Sequence, residues 1–326
     1  MNLLDKASII LTPTAYDVSE VLCVKPSDGT GDFDFSRSTE ATMVNAAGTI
    51  VTVGVNKPRI NYENGCGNWL FEPQSTNIYL NSETLVTQDV TTLASVYTVS
   101  FYGTGSITFS GTHTGSLVGT SVSDRVSLTF TATAGTLTST ITGLVSNGQC
   151  ENLSYATSYI TTAGSQTTRN QDLCNNGGGL ASINSTEGTL YFEGAALTND
   201  ETNRSITLSD GGTTNYVLIR FNSGGSNRIY TRVNVGGALQ YFNFDTSFDI
   251  TNTNKIAIRY QDNNFATFIN GSKVNSQLSG IAFAANTLTE LSFDNGSGND
   301  TFFGKTKALA VFPYLTDAEL TSLTTI

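Results

Sequence analysis

The sequence predicts an all-β protein in three segments: an irregular N-terminal region, a small β-sandwich, and a larger sandwich or jelly roll closed by one short helix. Three observations carry this. Apolar and small polar residues alternate with period two through most of the chain after residue 95, as half-buried antiparallel strands require. Pairs suited to tight hairpins recur between those stretches, among them Asp210-Gly211-Gly212, Gly236-Gly237, Asn263-Asn264 and Asn270-Gly271. Only 13% of residues are charged, while Gly supplies 31 positions and Pro only 5, a balance that favours strands and turns over disorder.

A length of 326 residues suffices for roughly two domains with cores of their own. The net charge of −11 argues against a nucleic acid partner, which needs clustered Lys and Arg. It argues equally against docking on an anionic membrane. Asp5 and Lys6 interrupt the apolar N-terminal run, so a signal peptide is not expected, and no run approaches the roughly 18 apolar residues that span a bilayer. Cys23, Cys66, Cys150 and Cys174 form no C-x-x-C pair and read as free, mostly buried thiols of a reducing compartment.

Residues 1–90 read as short strands joined by ordered loops, because Pro26, Pro58 and Pro73 each remove a ladder donor. This block reads as an assembly segment. Residues 91–174 hold the small sandwich, with Tyr97–Tyr102 and Ser106–Ser110 flanking Gly103-Thr104-Gly105, and Arg125–Thr131 and Thr136–Thr142 flanking a second turn. Its last part, Glu151–Cys174, is a polar strap whose bulky apolar residues are Tyr155, Tyr159 and Ile160. Residues 175–326 carry about nine strands, from Thr189–Glu193 to Lys307–Phe312, and then the helix Thr316–Leu323. Thr316-Asp317-Ala318-Glu319 is a capping box, and Leu315, Leu320 and Leu323 would face the sandwich.

Several motifs stand out in the first 175 residues: Phe35-Ser36-Arg37-Ser38, Pro58-Arg59-Ile60, Leu70-Phe71-Glu72-Pro73-Gln74-Ser75-Thr76-Asn77, Ala156–Thr162 and Thr168-Arg169. In order and spacing they resemble those of a group of tailed-bacteriophage virion proteins. Thr161 departs from the Pro often found at that place. The third segment resembles the concanavalin A-like, laminin-G-type sandwich through Asn270-Gly271 and the closing Lys305–Leu320 stretch. The resemblance implies a non-enzymatic virion component (head fibre, capsid decoration or tail appendage) assembled in the host bacterial cytoplasm. It also implies other virion proteins as partners, a homo-oligomer with a trimer favoured, and host-surface glycan as a ligand of the sandwich. The rival expectation is a glycan-degrading depolymerase.

Candidate site residues follow from the chemistry. The single His113, in a polar turn, reads as a turn histidine and excludes a multi-histidine metal site. A glycosidase pair is not apparent, since Glu290 and Asp294 on one strand would stand about 13 Å apart, beyond the roughly 5–9.5 Å such pairs use. Glu193 on a neighbouring strand could narrow that gap. Asp294, Ser297 and Asp300 lie in a loop dense in oxygen ligands, so calcium is the one candidate cofactor beside a plain solvated turn. Tyr216, Tyr230, Tyr241 and Arg228 are candidates for a glycan platform, with Phe242 and Arg232 nearby and alternation burying about half of the rings. Arg37, Arg59, Glu72, Tyr159 and Arg169, joined by Asp172, read either as structural locks between irregular segments or as surface polarity.

Overall fold

Two β-sandwiches make up the computed structural model, which describes residues 3–326. The larger one is built on an eight-stranded antiparallel sheet. Its strands run in the order Ser272–Gln277, Phe265–Ile269, Asn254–Gln261, Glu187–Ala196, Gly304–Phe312, Cys66–Phe71 and Ile60–Glu63. The eighth, Ile9–Leu11, pairs with the far end of Gly304–Phe312. Opposite lies a five-stranded sheet ordered Ala238–Asp245, Ile229–Val235, Tyr216–Phe221, Arg204–Ser209 and Glu290–Ser292.

The core between these sheets is continuous with the N-terminal block. Ile9, Leu11, Phe33, Trp69 and Phe71 belong to the same buried cluster as Leu190, Phe192, Ile219, Val233 and Phe293. Phe71 and Phe33 meet the Phe293 ring at 4.8 and 5.7 Å. The first seventy or so residues therefore complete a sheet whose other strands come from the end of the chain. Short local hairpins, such as Ile60–Glu63 with Cys66–Phe71, alternate here with strands that take partners from far along the chain, so no single period runs through the block.

The small sandwich packs a four-stranded sheet (Gln88–Thr92, Gly135–Thr142, Ser106–Gly111, Gly115–Val118) on a three-stranded one (Ser121–Ala132, Ser95–Gly103, Ser146–Glu151). Tyr97, Val99, Phe101, Ile107, Phe109, Leu137 and Cys150 fill its core. Gly103-Thr104-Gly105 makes no hairpin, because the strands on either side of it lie in different sheets. Gly103 sits at φ 136°, and a Cβ there would stand 2.2 Å from the Leu144 carbonyl oxygen, so only glycine turns this corner.

The closing helix spans Asp317–Thr324, and Thr316 and Glu319 form the expected capping box. Leu315 and Leu320 are buried against Tyr191, Phe268 and Phe312 on the outer face of the eight-stranded sheet. All four cysteines are free, with Cys66 alone exposed. His113 stacks on Phe130 with centroids 4.0 Å apart, an aromatic packing role in the small sandwich. No helix among the described residues is long and apolar enough to cross a membrane.

Candidate functional site

Two clusters of side chains stand out, and arginine builds both. The first lies where the strap crosses between the sandwiches. Thr167–Arg169 pairs with Ser75–Asn77, and Leu173–Asn175 pairs with Phe33–Ser36, so the strap is stitched to strands at two points. Between them Arg37, Arg59, Arg169, Glu72 and Asp172 are all buried. Arg37 reaches Asp172 at 2.9 Å, Arg59 reaches Glu72 at 2.7 Å and also pairs with Asp172, and Arg169 reaches Glu72 at 2.7 Å.

Neutral partners take most of the remaining donors of this knot, leaving the Nε atoms of Arg59 and Arg169 without a partner among the described residues. Arg37 donates to the Thr39, Gly54 and Lys57 carbonyls, and Arg169 donates to the Pro73 carbonyl at 2.6 Å. The Ser158 hydroxyl and amide donate to the Glu72 carboxylate at 2.6 and 2.7 Å. Glu151, also buried, accepts from Ser75 at 2.6 Å and from Gln149 and Thr157. Arg37, Arg59 and Arg169 thus share Glu72 and Asp172 in one buried site, with Glu151 held beside it by neutral donors.

The electrostatics follow. Burial alone would raise the Glu72 carboxyl, but Arg169 and Arg59 outweigh it and hold it down at about 2. Burial likewise works against the Arg59 cation, yet Asp172 and Glu72 raise its pKa. Arg37 is lowered, because burial and the neighbouring Arg59 and Arg169 outweigh Asp172.

Tyr159 sits beside the knot. Its carbonyl accepts from the Thr42 hydroxyl at 2.6 Å, and its phenol shares a 2.7 Å hydrogen bond with Ser82. Beside the strap, a cleft of about 270 Å³ lined by Glu72, Tyr102, Arg125, Tyr155 and Lys305 separates the two sandwiches.

The second cluster lies on the outer face of the five-stranded sheet. There Tyr216 and Leu218, from one strand, and Tyr230, from the next, form a small apolar group separate from the main core. Cross-strand register places Arg232 beside Leu218 and Phe242, and Tyr230 beside Arg220 and Phe244. Tyr230 and Phe244 rings are 4.9 Å apart, and Phe242 meets Phe244 edge-on at 5.7 Å. Phe242 and Phe244 are 45% and 52% exposed, so this is an open aromatic surface.

Guanidinium groups cover its rings. Arg232 lies 5.8 Å over Tyr216 and Arg228 lies 5.8 Å over Phe244. Arg232 donates through Nε to Asn234 at 2.8 Å, and Arg228 donates to the Ser223 and Gly224 carbonyls. Arg220 donates to Ser205 at 2.8 Å and pairs with Asp300 at 2.8 Å.

No protein-family model matches the sequence, and no curated protein matches it. Solved structures do align with part of the chain. The CBM40 of the Ruminococcus gnavus IT-sialidase covers 43% of this chain and 83% of its own at 15% identity, with a TM-score of 0.36. Domain 4 of AbnA, a GH43 extracellular arabinanase from Geobacillus stearothermophilus, covers 47% and 73% at 11% identity and 0.38. The NanB sialidase from Streptococcus pneumoniae covers 45% and 25% at 14% identity and 0.37. At these values the likeness carries nothing about residues or ligands.

The sequence-derived candidates separate cleanly by face. Tyr216, Tyr230 and Arg228 lie on the face that carries the aromatic surface, but the two tyrosines are buried there, and the exposed rings are Phe242 and Phe244. Tyr241 points the other way, into the core, where its phenol donates to Thr267 at 2.9 Å. Glu290 and Glu193 do not converge. Glu193 projects with Tyr191 on the helix-covered side of the eight-stranded sheet, whereas Glu290 lies on the five-stranded one, across the sandwich.

The Asp294–Asp300 loop spends its oxygens internally. Asp294 accepts from the Gly296 amide at 2.6 Å, the Ser297 hydroxyl donates to Asn295 at 2.9 Å, and Asp300 is held by Arg220. Burial raises the Asp294 carboxyl, which weakens it further as a ligand. Among the described residues no group of three or more His, Cys, Asp or Glu could hold a metal.

Proposed function

We propose that the chain is a non-enzymatic structural component of a tailed-bacteriophage particle, a head fibre, capsid decoration or tail appendage, whose large sandwich contacts host-surface glycans. The observation that carries the glycan half is the open aromatic surface of Phe242 and Phe244, backed by the buried Tyr230 ring and flanked by guanidinium and amide donors. Exposed rings stack on the apolar faces of sugars, and polar groups beside them fix hydroxyls. The virion half rests on the motif resemblance. Its motifs supply Arg37, Arg59, Glu72, Ser158 and Arg169, which meet in one knot and would hold the two sandwiches as a rigid pair. Presentation as a homotrimer belongs to the proposal, because weak sites gain from acting together.

Binding of the full-length protein to immobilised host polysaccharide tests the glycan half, with Phe244→Ala expected to weaken it roughly tenfold or more. Retained binding in that variant would move the site elsewhere. Shortening of the polysaccharide during incubation would replace the non-enzymatic reading with a depolymerase. Density for the chain inside the capsid of a reconstructed particle would end the appendage reading, and sedimentation equilibrium measures the oligomer.

A further inference from the structure

Of the nine arginines in the chain, six are paired with a carboxylate: Arg37, Arg59, Arg169, Arg204, Arg220 and Arg259. A seventh, Arg125, spans Thr157 and Ser100 beside the strap. The remaining two, Arg228 and Arg232, have no carboxylate partner among the described residues, and both lie on the aromatic surface. The chain offers 27 acidic residues against 16 basic ones, so an arginine without an acid is against the balance of the molecule. Each guanidinium carbon stands 5.8 Å from a ring centroid, and their hydrogen bonds use only Nη1 of Arg228 and Nε of Arg232, so each keeps further N–H donors for a ligand.

We infer that the ligand of this surface is an acidic saccharide, one whose carboxylate is taken by Arg232 or Arg228 while a sugar ring rests on Phe242 and Phe244. The inference builds on the glycan reading above and adds the charge class of the ligand. A guanidinium fork donates two parallel N–H bonds to the two oxygens of a carboxylate, an arrangement a neutral hydroxyl cannot reproduce. A molecule of net charge −11 would otherwise repel a polyanion, so a local cationic pair is what such a ligand requires.

The test compares matched probes on the full-length protein: oligogalacturonate against its methyl ester, hyaluronate oligomers against their carboxyl-reduced form, and sialyllactose against lactose. At least one acidic member is expected to bind about tenfold or more tighter than its neutral partner, since a charge-assisted pair contributes roughly 1.5–3 kcal/mol. Rising NaCl should erase the difference, and Arg232→Gln with Arg228→Gln should bring each pair to equal affinity at an unchanged melting temperature. Equal binding of acid and neutral forms by the wild type overturns the inference and leaves the glycan reading standing. Binding to no member of the panel, nor to host polysaccharide, overturns both. Selectivity that survives in the double variant places the acid group elsewhere and removes these arginines from the role.

Discussion

Arginine does opposite work in the strap knot and on the aromatic surface. In the knot, Arg37, Arg59 and Arg169 are buried and each fork ends on Glu72 or Asp172. On the surface, Arg228 and Arg232 rest on rings and end on amide or carbonyl groups. The contrast teaches that pairing, not residue type, separates a lock from a contact. A fully compensated guanidinium has nothing left to offer a ligand, whereas an uncompensated one holds its place only near solvent.

Removing one partner of the knot gives the largest expected effect. Arg59→Ala leaves Glu72 and Asp172 short of a cation in a dry site and should cost about 3–5 kcal/mol in denaturant unfolding. A loss under about 1 kcal/mol would mean the knot is replaceable. Acid should act next. Glu72 ordinarily titrates at 4.5 and is held at about 2, so its contribution is complete above pH 4.5 and is lost as pH falls towards 2. At about 1.4 kcal/mol per unit that amounts to about 3 kcal/mol, and Glu72→Gln should flatten the acid limb of a stability–pH curve.

On the surface the order reverses: Phe242→Ala should reduce glycan binding roughly tenfold while moving stability by no more than about 0.5 kcal/mol. Tyr241→Phe should leave glycan affinity unchanged and cost about 1 kcal/mol, the hydrogen bond to Thr267. An affinity loss in Tyr241→Phe would blur the two faces.

Most strands of the third segment were legible in the sequence, because alternation and glycine turns are local signals. The expected Thr189–Glu193 lies within the strand Glu187–Ala196, and the helix cap at Thr316 falls where the capping box puts it. Ser272–Gln277 escaped notice, since a polar edge strand has no buried face to announce it. Which ring points outward on Ala238–Asp245 was not legible either. Tyr241 and Phe242 are both aromatic neighbours, and only the cross-strand register with Val233 and Arg232 selects Phe242 for the surface. The knot residues were readable as a set of charges, but their convergence depends on pairing between strands far apart in the chain, such as Ser75–Asn77 with Thr167–Arg169.

Gly304–Phe312, synthesised long after them, is the neighbour that both Ile9–Leu11 and Cys66–Phe71 pair with. The small sandwich, whose pairings all lie between residues 88 and 151, can close while the chain is still on the ribosome. The N-terminal strands cannot. They must wait with Trp69 and Phe71 incompletely buried until Gly304–Phe312 emerges, which makes the large sandwich the slower, aggregation-exposed step of folding.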